Sequence, residues 1–278
     1  MLNSSELEAF AAEIRIAAIE CLAAFGQGHI GGSMSIADAL AVLYGGELRH
    51  DPQNPQRADR DRLVLSKGHA GPALYAALAL RGFFPRDLLA TLNAGGTSLP
   101  SHVDRTKTPG VDMTCGSLGQ GLSAGAGMAF GARLDGADRY TFVILGDGEC
   151  QEGQVWEAAR FARAHRLKNL VALVDENKQQ LDGYVENVLG GGSIAGMFAA
   201  CGWRVLEVNG HDVDAVSRAV QTAKDGLADA PTAVILDTVK GYGANFAEGL
   251  EFNHSLPVSK EEAESAIAAI RTGIGGAK

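Results

Sequence analysis

The chain has 278 residues, 46% of them hydrophobic and 21% charged, which is an ordinary balance for a globular enzyme and enough chain to bury a substantial core. A formal net charge of -9 excludes general affinity for nucleic acid or anionic membrane surfaces, because both require an excess of Lys and Arg. Cys21, Cys115, Cys150 and Cys201 lie 94, 35 and 51 positions apart with no CxxC pair, so reduced thiols in a cytoplasmic protein are expected rather than zinc ligands.

In chain order, Met1 to Glu6 has no basic stretch ahead of an apolar one, and no run reaches the roughly 18 apolar residues of a spanning helix. Ser5 and Glu8 have the spacing of a capping box, and the Ala, Ile and Leu positions that follow predict a helix to about Leu22. Gly26 to Ser33 breaks it, and Ser35 to Tyr44 reads as a second helix. The run Arg57 to Arg62 reads as a solvated charged turn before the short strand Leu63 to Leu65. Gly71 to Leu80 is helical, whereas Leu92 to Asp112 is irregular, as segments that line sites often are. Gly119 to Leu134 is an Ala- and Gly-rich helix whose small side chains permit close packing. Further strands are predicted over Tyr140 to Leu145, Leu170 to Val174, Trp203 to Val208 and Ala233 to Val239. Helices around Glu152 to Ala164, Ile194 to Cys201, Val213 to Asp225 and Lys260 to Arg271 alternate with them. This order predicts one α/β domain over 1–278, a doubly wound, mainly parallel sheet with its ligand site at the carboxyl ends of strands and a glycine-rich tail after about Thr272.

The chemistry concentrates at Gly146-Asp147-Gly148, which closes one apolar run, and at Asn177, thirty positions beyond Asp147 after a second run. A GDG tripeptide alone is an ordinary turn. A carboxylate and a carboxamide at two adjacent strand ends supply hard oxygen ligands, which suit Mg²⁺ at roughly 2.0–2.1 Å with phosphate oxygens completing its shell. Gly148 lacks a Cβ, so its N–H can approach a phosphate closely. A helix expected just after it adds unpaired amide donors.

Together with Gly28-His29-Ile30-Gly31-Gly32-Ser33, Ser66-Lys67-Gly68-His69-Ala70, Leu99-Pro100-Ser101-His102, Thr114 to Gly121 and Gly148 to Ala159, this pattern resembles the diphosphate-binding half of a transketolase, from about Ile14 to His254. The resemblance implies thiamine diphosphate and Mg²⁺ or Ca²⁺ as cofactors, with Asp147, Asn177 and the Gln179 carbonyl as metal ligands. It implies catalytic or binding roles for His29, His69, His102 and His254: His69 beside the diphosphate and thiazolium, His29 and His102 toward substrate hydroxyl and carbonyl groups, and His254 near the diphosphate. Gly116 and Leu118 match the loop that contacts the aminopyrimidine, although Ser117 replaces the proline of many full-length members. Gly148 is also a cofactor contact by resemblance. Lys240 offsets diphosphate charge or is a solvated loop lysine, and Glu152 takes the family position at the dimer contact. His50, His165 and His211 lack such context and read as structural or exposed. In the family the glutamate that activates the cofactor belongs to a second, pyrimidine-binding domain. The expectation is therefore an N-terminal subunit of a split transketolase, partnered by a pyrimidine-domain subunit in an α₂β₂ heterotetramer and acting on sugar phosphates. A 2-oxo-acid dehydrogenase or deoxyxylulose phosphate synthase-like subunit, or a noncatalytic cofactor-binding homologue, are the alternatives.

Overall fold

A computed structural model describes residues 1–227 and 229–273, so the expected glycine-rich tail lies outside the described residues from position 274 onward. Five apolar runs form one parallel sheet: β1 (Arg62–Leu65), β2 (Thr141–Gly146), β3 (Leu170–Glu176), β4 (Arg204–Asn209) and β5 (Thr232–Asp237), in the order β1-β2-β3-β5-β4. Every residue of β2 and all of β3 but its last are buried, because helices cover the sheet. Edge strand β4 has no fully buried residue. From β3 the chain passes over to the edge at β4 and returns through β5, and such reversals open a crevice at the carboxyl ends of the strands.

The helices Gly71–Leu80, Gln120–Leu134, Gly153–Ala164, Ile194–Ala200, Val213–Lys224 and Lys260–Arg271 agree with the sequence pattern to within a residue or so at each end. Small residues in Gln120–Leu134 let it lie directly on the sheet: a Cβ on Gly121 would sit 2.3 Å from Ser66 Oγ. Among the described residues no helix is long and apolar enough to cross a membrane.

Three expectations are corrected. The first helix runs Ser4–Phe25, capped by Asn3 rather than by Ser5: Asn3 Oδ1 accepts the Glu6 N–H at 3.0 Å, and the Glu6 carboxylate accepts the Asn3 N–H at 2.8 Å. Asn caps as well as Ser, and its glutamate stands at the same reciprocal position. The expected helix Ser35–Tyr44 is shortened to Ala37–Val42 and passes into a wide turn over Leu43–Glu47, while the expected break holds a short helix of its own, Ile30–Met34; the two are separate because Ile36 leaves the helical region and Ser35 turns its hydroxyl inward to Asp175 Oδ2 at 2.8 Å. The charged run before β1 is only partly solvated. Arg57 pairs with Asp59 at the surface, but Asp61 is 4% exposed and accepts the backbone N–H groups of Arg49 at 2.8 Å and Tyr140 at 2.7 Å, and Arg60 pairs with Asp112. A buried carboxylate is thereby used to fasten the entries to β1 and β2.

Candidate active site

The carboxyl ends of the strands carry the residues singled out in the sequence. The register sets Gly146 of β2 opposite Asp175 of β3, so Asp147 and the Asn177 turn leave the sheet side by side. Asp147 is 3% exposed, and its oxygens accept the N–H groups of Gly148 at 2.7 Å and of Lys178. It forms no ion pair among the described residues. Burial first, and the Asp175 charge second, push its carboxyl up to about 7. A carboxylate so placed lacks a cation. Asn177 is also buried; its Nδ2 donates to Asp175 Oδ2 at 2.6 Å, and its Oδ1 accepts the Gln179 N–H at 3.1 Å. The structure thus sets Asp147 against the turn that carries Asn177 and Gln179, through the Lys178 N–H. Among the described residues no three His, Cys, Asp or Glu side chains are arranged to hold a metal ion, and the expected ligand set of one carboxylate, one amide and one carbonyl contains only one such side chain.

Gly148 is demanded by its neighbour Gln180, since a Cβ there would lie 2.7 Å from Gln180 Cβ. The helix expected immediately after it begins as a short 3-10 helix over Gly148–Gln151, and the α-helix starts at Gly153. The first α-helical amides consequently stand farther along the chain than the sequence pattern suggests.

Lys240 is no solvated loop lysine. It is 4% exposed, and its Nζ donates to the Gln179 and Gln180 carbonyls, each at 3.3 Å. Burial, with Lys67 nearby, lowers its ammonium to about 8.

The four histidines singled out by motif meet, although 225 positions separate the first from the last. His29 lies 5.4 Å from His69, 5.3 Å from His102 and 5.2 Å from His254 between ring centroids, and His69 lies 4.7 Å from His254. Antiparallel pairing of Gln27–Gly28 with Leu256–Pro257 brings His29 beside His254. The irregular loop that carries His102 is fastened where the Val103 N–H donates to Gly68 O at 3.3 Å, next to His69. Burial, reinforced by neighbouring positive groups, holds His29 down to about 4 and His254 to about 3; burial lowers His102, and burial with Lys67 lowers His69 strongly. All four are neutral imidazoles at neutral pH, each able to donate from one nitrogen and accept at the other.

Gly116, Ser117 and Leu118 are exposed at the rim, and so is Glu152, whose Cβ lies against Gly119. A cavity of about 700 Å³ opens beside Asp147, lined also by Cys150, Trp156, Lys178 and Tyr184.

Two carboxylates that the sequence pattern did not single out organise the site. Asp175, fully buried, accepts from Lys67 Nζ at 2.5 Å, Ser35 Oγ at 2.8 Å, Thr238 Oγ1 at 2.5 Å and the Asn177 amide. Burial pushes its carboxyl up, but Lys67 and these hydrogen bonds hold it below the usual range. Glu149 accepts the Gly119 N–H at 2.9 Å, the Gly146 N–H at 3.1 Å and the Ser66 hydroxyl, which joins the Gly116–Leu118 loop to the GDG turn. Their signal was present in the sequence: both stand at or just past the carboxyl end of a central strand.

Comparison with known proteins agrees with this geometry. Residues 7–275 match the family described as transketolase, thiamine diphosphate binding domain. The chain is 48% identical to the 6-deoxy-6-sulfo-D-fructose transketolase subunit of Clostridium sp. (strain MSTE9), over 92% of each chain, and 38% identical to an apulose-4-phosphate transketolase subunit of Phocaeicola vulgatus, over 86% of this chain and 84% of that one. Transketolase from Campylobacter jejuni superposes with a TM-score of 0.91 at 30% identity, covering 97% of this chain and 43% of that one. The chain spans less than half the length of that solved enzyme. The fold and site are therefore those of a thiamine diphosphate-binding domain. The chain belongs to the transketolase family, whose members are transferases, and corresponds to the N-terminal subunit of its two-subunit forms.

Proposed function

We propose that this chain transfers a two-carbon ketol unit from a ketose to an aldose, jointly with a separate pyrimidine-domain subunit. The observation that carries the reading is the meeting of four neutral histidines on the same side of the molecule as adjacent strand ends, where Asp147 abuts the turn of Asn177 and Gln179. The site fits a divalent cation bound with a diphosphate: Asp147 is a desolvated carboxylate without a cation, and Lys240 is a buried ammonium a turn away. Asp147, Asn177 and the Gln179 carbonyl would hold Mg²⁺ or Ca²⁺. Lys240, Gly148 and His254 would face the diphosphate, and Gly116 and Leu118 the aminopyrimidine, with Glu152 at the subunit contact. Thiamine diphosphate, when bound, supplies the electron sink that allows carbon–carbon cleavage. His29 and His102 would then accept or return the protons of sugar hydroxyl and carbonyl oxygens, and His69 would border the diphosphate and thiazolium. Neutral imidazoles suit these tasks, since each nitrogen has a free role.

The exposed loop Gly116–Leu118 supports a partner surface, and relatives named as subunits support its being a separate chain; an α₂β₂ assembly is the arrangement we propose. We read 1–278 as one domain and propose a cytoplasmic protein, as the wide, unpaired spacing of its four cysteines predicts. Sugar phosphates are the first substrates to test. The named substrate of the 48% identical relative adds a sulfonated ketose as a second donor. Four retained histidines speak against a noncatalytic homologue, and the relatives against a 2-oxo-acid dehydrogenase. The deciding experiment mixes the chain and a co-purifying partner with Mg²⁺, thiamine diphosphate, either donor and an aldose phosphate. Failure to form a two-carbon-extended product with any donor removes the reading.

A further inference from the structure

His211 follows β4 and takes no part in the histidine cluster, yet it is gripped on every side. Its Nε2 accepts the Val239 N–H at 2.9 Å, which leaves the ring proton on Nδ1, 2.8 Å from Asp38 Oδ2. Asp38, 4% exposed, is held in turn by both terminal nitrogens of Arg15, one at 3.1 Å. The imidazole stacks on Tyr242 with centroids 3.7 Å apart and planes 15° from parallel, and the Arg15 guanidinium lies 4.8 Å from the same ring. His211 thus touches the residue immediately before Lys240 through the backbone and the residue two beyond it through its ring. Between those holds, the Lys240 carbonyl accepts from Asn253 Nδ2 at 3.0 Å, and the Gly241 N–H donates to Gly31 O at 3.0 Å.

We infer that His211 is a positioning residue for Lys240: fixed by Asp38 and Arg15, it sets the Val239–Tyr242 backbone so that the Lys240 ammonium points at the Gln179–Gln180 turn and the diphosphate beyond. The inference rests on the reading that Lys240 faces the diphosphate. A ring that only filled space would need the stack with Tyr242 and nothing more. Here one imidazole nitrogen is committed to the very backbone that carries Lys240, and the other to the buried Arg15–Asp38 ion pair. A long lysine side chain loses considerable rotamer freedom when its ammonium is held in one place, so a fixed backbone anchor lowers the cost of presenting it.

The test is a double-mutant cycle read by calorimetry of Mg²⁺-thiamine diphosphate binding to the assembled enzyme. His211→Phe keeps the stack and removes both hydrogen bonds; it is expected to weaken cofactor binding about tenfold while leaving turnover at saturating cofactor within about twofold. Lys240→Ala should weaken binding by at least as much. Combining the two should cost no more than Lys240→Ala alone, because the first change acts through the second residue. Equal weakening by His211→Phe in both backgrounds, or unchanged affinity in His211→Phe beside weakened Lys240→Ala, overturns the inference. Unchanged affinity in Lys240→Ala defeats instead the assignment of Lys240 to the diphosphate, and the inference with it. If His211→Phe does not fold, Tyr242→Leu, which removes the stacked ring from the same brace, serves in the same cycle with the same expected non-additivity.

Discussion

Asp147 and the histidines divide the work of the site by charge. A buried carboxylate without an ion pair wants a cation, whereas imidazoles held neutral by burial and by each other are free to exchange protons and hydrogen bonds. Asp147→Ala and Asn177→Ala each remove one oxygen from a site with few protein donors. Both should abolish metal-dependent gains in thiamine diphosphate affinity, measured by calorimetry with and without Mg²⁺; affinities equal to wild type in both variants would dismiss the metal site. His102 stands on the irregular loop and is less deeply buried than His69. His102→Ala should therefore lower turnover about 10²–10⁴-fold with little change in cofactor affinity, as expected for loss of a positioned acid or base. His69→Ala, beside Lys67 and Gly32, should impair both. Near-normal kinetics in the two variants would make the cluster a packing feature.

At the scale of elements, the β/α alternation was legible because buried parallel strands write themselves as near-continuous apolar runs, and the GDG, Asn177 and Lys240 segments follow such runs. What the pattern hid was the use of charge inside. Asp61, Asp175 and Glu149 look like turn residues in sequence, but each gathers backbone or side-chain donors from segments far apart in the chain, and no local pattern announces those partners. Likewise Lys240 follows the apolar run of β5 as a loop lysine would, and only the folded chain shows it enclosed. The histidine cluster has a measurable consequence at this scale. Its members titrate lower in the folded chain than in the unfolded one, so between about pH 6.5 and 4 the unfolded state binds more protons and stability falls as the solution is acidified. Chemical denaturation of the cofactor-free chain at pH 4.5, 5.5 and 6.5 should show that slope. The double variant His29→Asn with His254→Gln should flatten it, and an equal slope in the variant would assign acid sensitivity to other groups.

For the whole molecule, the geometry is that of half a cleft. Helices and sheet enclose Asp147, Asn177 and Lys240 from below, yet Gly116, Ser117, Leu118 and Glu152 stand exposed at the rim, and Leu118 presents an apolar side chain to solvent at 37% exposure. Residues proposed to contact a flat aromatic ring are not expected to face water in the working enzyme, since burying that ring supplies much of its binding energy. The chain alone should accordingly fold and bind Mg²⁺-thiamine diphosphate weakly, with the pyrimidine end uncovered. Titrating a pyrimidine-domain subunit into a fixed amount of chain should create ketol transfer that rises and then levels near one-to-one stoichiometry, with cofactor affinity rising in parallel. The background must be freed of host transketolase. Robust transfer by this chain without any partner would show that the rim is complete as it stands and that the second subunit is unnecessary.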